Sequence, residues 1–191
     1  MIQHLHLEKK GLRGLAIAES FSQNSKKSIL AGIVMRRDLI IDGFVLGKAT
    51  LEGDDATDEI LRMYKKLNRH DISYLLVSGI IISMYNIVDI KKIYDFLNLP
   101  VIGVTYQDSA GIEEAIKQHF PNSYEPKLQA YKKLGARHKI TLDTASEIYI
   151  RNEGCTAEES GKLLNELTLQ GSIPEPLRVA QILAKTILFE D

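Results

Sequence analysis

Two carboxylates, Glu19 and Asp55, are the first candidates for chemistry in this chain. Glu19 closes a short apolar run, and a carboxylate at a strand end can project into a cleft that neighbouring strand ends share. Asp55 belongs to residues 41–59, where six acidic side chains stand against one lysine, a net charge of −5. Hard divalent cations take oxygen ligands, commonly one or two carboxylates with waters and substrate phosphates. An acidic cluster of this kind therefore suits a site for a metal ion and a phosphodiester.

The same acids also have an ordinary structural interpretation. Asp54 or Asp55 is a natural N-cap for a helix that begins there, and Asp58 and Glu59 complement the dipole of its first turn. We favour capping as the sole role of Asp54, Asp58 and Glu59, and leave both roles open for Asp55. The structural interpretation of Glu19 is that it is an exposed acidic residue in a loop.

The overall charge hides a segregation along the chain. The formal net charge is only −1, which gives no global field for collecting nucleic acid. Residues 1–40 nevertheless carry +4, and residues 126–142 carry +5 with no acid among them. Any binding of nucleic acid must therefore use local patches, although a basic run is more often a solvated helix face.

Several classes of protein are excluded. A single cysteine, Cys155, allows neither an intrachain disulfide nor a zinc cluster, and the five histidines show no zinc-binding spacing. The chain has neither the P-loop motif G-x-x-x-x-G-K nor the dinucleotide-binding motif G-x-G-x-x-G. Ser78-Gly79 also lacks the G-x-S-x-G pattern of serine hydrolases. No apolar stretch reaches the roughly 18 to 20 residues of a membrane helix, and the polar N-terminus is unlike a signal peptide, so we expect a cytoplasmic protein without membrane contact.

The elements that must position these residues follow from the hydrophobic pattern. Three aliphatic runs at 12–19, 28–36 and 39–50 predict an antiparallel meander, and apolar residues at helical spacing predict a helix from residue 55. Strand, helix, strand patterns then predict a parallel sheet, with further helices and two short strands up to the C-terminus. We predict one domain over residues 1–191, of the α/β class, with a mixed sheet covered by helices on both faces. This strand order is that of ribonuclease H-like folds, and the pattern alone also allows a flavodoxin-like sheet.

Six sequence blocks carry a resemblance to a known family: Ala31-Gly-Ile-Val-Met-Arg36, Ile41-Asp-Gly43, Gly53-Asp-Asp-Ala-Thr57, Tyr85-Asn-Ile-Val-Asp-Ile90, Leu99-Pro-Val-Ile-Gly-Val-Thr-Tyr106 and Ile173-Pro-Glu-Pro-Leu-Arg-Val-Ala180. Together they resemble the archaeal endonuclease dU family, which is similar to endonuclease V. The resemblance implies an endonuclease V-like fold and a magnesium-dependent endonuclease, with manganese possible, that cuts DNA containing deaminated bases such as deoxyuridine. It would act in DNA repair as a monomer or homodimer.

Residue roles follow from this resemblance. Glu19 and Asp55 would be catalytic and would hold the metal, which would orient a water and stabilise the departing oxygen. The remaining predicted contacts to DNA fall into two groups. The residues expected to line the pocket for the lesion are Ser20, Ser78, Asn86 and Tyr106, and those expected to contact phosphates are Arg36, Lys132, Lys133 and Arg178.

Two positions depart from the endonuclease V pattern and motivate a rival hypothesis. Ala18 and Ser78 stand where endonuclease V carries aspartates. A non-catalytic protein that binds nucleic acid or a small molecule on the same fold would also explain the chain. A third interpretation, a flavodoxin-like ligand sensor, predicts a cleft at the carboxyl ends of parallel strands with no acidic cluster beside it.

Overall fold

The structure, a computed structural model, describes Leu5, Leu7, Lys9 and residues 11–190. Its strands are β1 (Arg13–Ser20), β2 (Lys27–Arg36), β3 (Ile41–Thr50), β4 (Ile72–Ser78), β5 (Ile81–Ile82), β6 (Asn86–Ile87), β7 (Val101–Thr105), β8 (His138–Thr141) and β9 (Glu147–Glu153). Its helices are α1 (Ala56–Leu67), α2 (Ile90–Leu97), α3 (Glu113–His119), α4 (Tyr124–Lys133), α5 (Ala157–Leu167) and α6 (Glu175–Glu190).

The described residues form a mixed sheet of seven strands in the order β3-β2-β1-β4-β7-β9-β8. The predicted meander is confirmed, because β1 pairs antiparallel with β2 and β2 pairs antiparallel with β3. β1, β4 and β7 are mutually parallel, and β9 returns antiparallel to β7. The carboxyl ends of β1, β4 and β7 therefore lie at one edge of the sheet, which is where ligands bind in open α/β folds.

Helices cover both faces of this sheet, as predicted. On one face, Leu15 and Ile17 of β1 pack in a core with Ile60 and Met63 of α1 and with residues of α2. On the other face, the alternate residue Ala16 packs in a second core with residues of α5 and α6. β2 is buried along nearly its whole length because both faces are covered, which explains its continuous apolar run. Among the described helices, none is long and apolar enough to cross a membrane.

A short ribbon follows β4 that the sequence pattern did not predict. Its strands β5 and β6 are joined by Ser83, Met84 and Tyr85, which have φ angles of 46°, 54° and 70°. Three successive residues other than glycine in the left-handed region carry a conformational cost, because Cβ crowds the backbone there. The surrounding contacts must therefore hold this turn in place.

Candidate nucleic-acid-binding site

A cavity of about 430 Å³ lies at the sheet edge where β4 and β7 end. Ser78, the last residue of β4, and Tyr106, just after β7, both line it, as the sequence predicted for a binding cleft. The Tyr106 hydroxyl lies 3.5 Å from Ser78 Oγ. Burial raises the pKa of Tyr106 to about 12, so its hydroxyl keeps the proton at neutral pH and can donate a hydrogen bond.

Two arginines bring positive charge to the same cavity. Arg137 stacks its guanidinium 4.5 Å from the centre of the Tyr149 ring and donates to the exposed Asp108 carboxylate at 2.9 Å. Arg151 of β9 is only 9% exposed, and its Nε donates to the carbonyl oxygen of Gly135 at 3.0 Å. A cleft with hydroxyl donors, aromatic rings and cations fits nucleic acid better than it fits an apolar ligand.

Glu19 lies beside this edge, but its carboxylate is used inside the protein. Oε1 accepts a hydrogen bond from the backbone N–H of Ser83 at 2.8 Å, and Oε2 accepts one from the Ser83 hydroxyl at 2.7 Å. The hydroxyl of Ser28 lies a further 2.6 Å from that of Ser83. Glu19 therefore fixes the first left-handed residue of the turn between β5 and β6.

Asp55 occupies the N-cap position of α1, but its side chain makes no capping hydrogen bond. Its Oδ1 accepts from the backbone N–H of Thr50 at 2.9 Å and from Asn86 Nδ2 at 2.8 Å, and its Oδ2 accepts from the Thr50 hydroxyl at 2.6 Å. Burial alone would raise the pKa of Asp55, yet these hydrogen bonds outweigh it and hold the pKa below its usual value. The carboxylate is thus ionised and engaged at neutral pH.

Asn86 supplies the missing cap and is not a pocket residue. Its Oδ1 accepts from the backbone N–H of Ala56 at 3.1 Å, while Nδ2 donates to the carbonyl of Thr50 at 2.9 Å as well as to Asp55. With 0% exposure and both ends of its amide engaged, Asn86 offers no surface to a substrate. The expectation that it lines the lesion pocket is therefore wrong, because the end of β3 and the start of α1 consume its hydrogen-bonding capacity.

Lys127 is a further internal anchor of this region. Its Nζ donates to the carbonyl of Gly53 at 2.9 Å, to the Asp54 carboxylate at 2.8 Å and to the carbonyl of Tyr85 at 3.1 Å. The side chain is only 8% exposed. Lys127 therefore ties α4 to the loop before α1 and to the left-handed turn, and does not belong to a surface track for phosphates.

The arrangement of Glu19 and Asp55 does not by itself fit a resident magnesium ion. All four carboxylate oxygens already accept hydrogen bonds from Ser83, Thr50 or Asn86. Over residues 11–190 and the three described residues before them, no group of three or more His, Cys, Asp or Glu side chains could hold a metal ion. The predicted catalytic and metal-binding roles of both residues stay predictions.

Arg36 lies far from this edge. In the antiparallel pairing of β1 with β2, Arg36 is opposite Arg13 at the amino end of β1, whereas Ser20 at the carboxyl end is opposite Ile29. Arg36 also pairs with Asp38 at 2.5 Å. Ser20 therefore reaches the expected edge, whereas Arg36 lies at the opposite end of the strands because β2 runs in the opposite direction, and its phosphate contact stays a prediction.

The other predicted phosphate contacts are surface side chains. Lys132 and Lys133 are exposed at the end of α4, and Lys132 lines a separate depression of about 510 Å³ between α3 and α4, beside Glu113 and Glu114. Arg178 pairs with Glu175 one turn earlier on α6, at 2.5 Å. Their contacts to DNA remain predictions. Arg137 and Arg151, which line the cavity, had no predicted role, and only the unusual placing of an arginine inside the apolar β9 pattern could have signalled the second.

Comparison with known proteins identifies the family. The model of the family described as endonuclease dU matches residues 10–188. The chain belongs to the endonuclease dU family. A UPF0215 protein of Pyrobaculum calidifontis is 33% identical over 174 residues, covering 91% of this chain and 95% of its own. This relative of the endonuclease dU family member is archaeal, in agreement with the resemblance seen in the sequence.

Solved structures define the fold of this family member. A protein of unknown function from Archaeoglobus fulgidus has a TM-score of 0.78 and 27% identity, covering 93% of this chain and 98% of its own. Endonuclease V of Ciona intestinalis, solved with DNA containing an inosine, has a TM-score of 0.63 and 16% identity, covering 96% of this chain and 88% of its own. The second likeness concerns the fold alone. It confirms the predicted ribonuclease H-like architecture over the flavodoxin-like alternative.

Proposed function

We propose that this endonuclease dU family member is an endonuclease of DNA repair that cuts DNA at deaminated bases, with deoxyuridine as its main target. Family and fold support a nuclease. The observation that supports the finer assignment is the cavity at the ends of β4 and β7, where hydroxyl groups, aromatic rings and two arginines line one space. Its volume of about 430 Å³ lies in the range of small-molecule sites and accommodates one extruded base.

The residues of the cavity divide into two roles under this proposal. Deamination weakens pairing, so a deaminated base leaves the stack at a lower cost than a well-paired base does. Tyr106 and Ser78 are placed to donate hydrogen bonds to the extruded nucleotide. Arg137, whose guanidinium carbon lies 4.5 Å from the centre of the Tyr149 ring, is suited to bind a phosphate beside it, since a planar guanidinium binds phosphate oxygens in pairs.

Magnesium dependence, with manganese as a substitute, remains part of the proposal. Glu19 and Asp55 are the carboxylates that the resemblance to endonuclease V assigns to the metal. The Glu19 carboxylate, however, accepts hydrogen bonds from Ser83, and the Asp55 carboxylate accepts one from the backbone N–H of Thr50. We therefore derive no step of cleavage through a metal ion from these residues. Adding and chelating the metal in the assay tests the dependence directly.

A second candidate is a protein that recognises deaminated DNA without cutting it. The observation in its favour is that Ala18 and Ser78 replace the two aspartates of the endonuclease V pattern, while the described residues hold no three-ligand metal cluster. Such a protein would bind a deoxyuridine duplex and leave its backbone intact.

Incubation with end-labelled duplexes distinguishes these functions. We expect incision of a duplex with one deoxyuridine in magnesium, no incision of the matched deoxycytidine duplex, and loss of incision in excess chelator. Tyr106→Phe should slow incision about 5- to 13-fold, because one hydrogen bond in a buried site contributes about 1 to 1.5 kcal/mol. Tyr64→Phe on α1, outside the cavity, is the matched control and should cut at the wild-type rate.

An intact deoxyuridine duplex in magnesium and in manganese overturns the endonuclease assignment. Preferential binding of that intact duplex over the deoxycytidine duplex would then establish the second candidate.

A further inference from the structure

Arg151 is a buried cation without a counter-charge. Its side chain lies on β9 with 9% exposure, and its only hydrogen bond within the described chain runs from Nε to the carbonyl of Gly135. The ring of Tyr131 lies 5.6 Å from the guanidinium carbon. The two terminal nitrogens, each with two N–H donors, have no protein acceptor among the described residues, and the guanidinium lines the cavity.

The terminal nitrogens of Arg151 are not sealed in the interior but face the cavity, so a ligand that enters it can reach them. Charges in largely buried side chains are normally paired or fully hydrogen-bonded in proteins. The acidic residue that lines the same cavity, Asp108, is 76% exposed and already pairs with Arg137. The free donors of Arg151 therefore mark a place where the cavity receives a hydrogen-bond acceptor.

Deamination creates such an acceptor. Cytosine carries an amino group at its 4-position and adenine carries one at its 6-position, and both groups are donors. Hydrolysis of either amine leaves a carbonyl oxygen, which accepts. A guanidinium can only donate, so it pairs with the carbonyl of uracil or hypoxanthine and faces the amine of the parent base without a hydrogen bond.

We propose that Arg151 distinguishes a deaminated base from its parent base, by donating to the carbonyl oxygen that replaces the exocyclic amine. The inference rests on the proposed function of the same cavity. A base fits this position better than a backbone phosphate, because Arg151 is nine-tenths buried beside the ring of Tyr131, and an extruded base is held inside a pocket by hydrogen bonds and aromatic side chains. Arg137 then contacts the DNA backbone, and Arg151 contacts the base.

The test measures binding of the full-length protein in chelator, so that cutting does not interfere. The probes are fluorescent single strands that differ at one position, which holds deoxyuridine, deoxycytidine or an abasic site. We expect wild type to prefer deoxyuridine over deoxycytidine by about 10- to 100-fold, the range of one good base contact. Arg151→Met should lose affinity for deoxyuridine by a similar factor and bind the abasic strand within twofold of wild type.

A second variant and a control keep the test decisive. Arg151→Gln should bind deoxyuridine and deoxycytidine equally, because an amide can donate to a carbonyl and accept from an amine. Arg62→Met, an exposed arginine on α1 paired with Glu59, is the matched control and should behave as wild type. Thermal midpoints verify that each protein is folded.

The outcomes separate this inference from the proposed function. Equal losses on all three strands would show a phosphate contact and overturn the inference, as would an undiminished preference for deoxyuridine in both Arg151 variants or no preference in wild type. Wild type that prefers deoxyuridine through Arg151 but cuts no duplex would leave the inference standing and overturn the endonuclease assignment.

Discussion

Replacing Asp55 with alanine removes the acceptor for three hydrogen bonds, two from Thr50 and one from Asn86. A hydrogen bond to a charged group contributes about 1.5 to 3 kcal/mol, and losing the acceptor also leaves buried donors unpaired. The three bonds share one carboxylate and do not add, so we expect Asp55→Ala to lower the free energy of unfolding by about 3 kcal/mol. In a domain of this size that corresponds to a fall in melting temperature of about 6 to 12 °C.

Asp58→Ala is the matched control for this substitution. Asp58 lies in the first turn of the same helix and pairs with Lys92 at 2.6 Å, but both side chains are more than half exposed. Exposed pairs contribute less than about 1 kcal/mol, so its melting temperature should fall by less than about 3 °C. Calorimetry at pH 7 measures both variants, and the endonuclease assay runs in parallel. Asp55→Ala with an unchanged melting temperature and no incision would refute the structural role and establish a catalytic one.

Three further predictions concern the same framework. Glu19→Ala should speed hydrogen exchange across residues 83–86, because the backbone N–H of Ser83 loses its acceptor; unchanged exchange there would show that the left-handed turn holds without it. Tyr74→Phe should raise stability by about 1 kcal/mol in urea unfolding, since the Tyr74 hydroxyl is fully buried with no partner among the described residues, and a loss of stability would contradict this. The hydrogen bond from Arg69 lowers the pKa of Asp71 from 3.8 to about 2, so the stability that this pair contributes is present above pH 4 and is lost as the pH falls towards 2. Asp71→Asn should flatten the pH dependence of the melting temperature in that window, and an unchanged profile would exclude the pair as its cause.

Much of the fold could be predicted from the sequence because its elements are specified locally. Helix α1 begins and ends where the apolar spacing and the acidic first turn place it, and Asp89 caps α2 by accepting from the backbone N–H of Lys92, as its position before an apolar run indicates. The same patterns leave two strand orders open, ribonuclease H-like and flavodoxin-like, since a meander and βαβ connections allow few topologies, and the observed sheet is of the first kind.

The parts that could not be predicted depend on tertiary contacts. Ser83, Met84 and Tyr85 include no glycine or asparagine to signal a left-handed turn, and the turn exists because groups distant in sequence hold it. Likewise, nothing local in Asn86 distinguishes a ligand contact from the cap of a helix thirty residues earlier. The sequence pattern therefore places Ser78 and Tyr106 at one edge of the sheet but does not assign a role to either.

The charge pattern illustrates the same difference between position and role. Segment 126–142 has a net charge of +5, yet Lys127 is consumed internally and Lys139 pairs with Glu147 at 2.7 Å. A phosphate track needs accessible cations, and of the five cations of this segment only Arg137 lines the cavity. The strongest uncommitted donor of the described cavity is instead Arg151, which lies outside both basic segments and is almost completely buried. On the proposed role of Arg151, the choice between bases therefore depends on hydrogen bonds made inside the cavity and not on the electrostatic field of the surrounding surface.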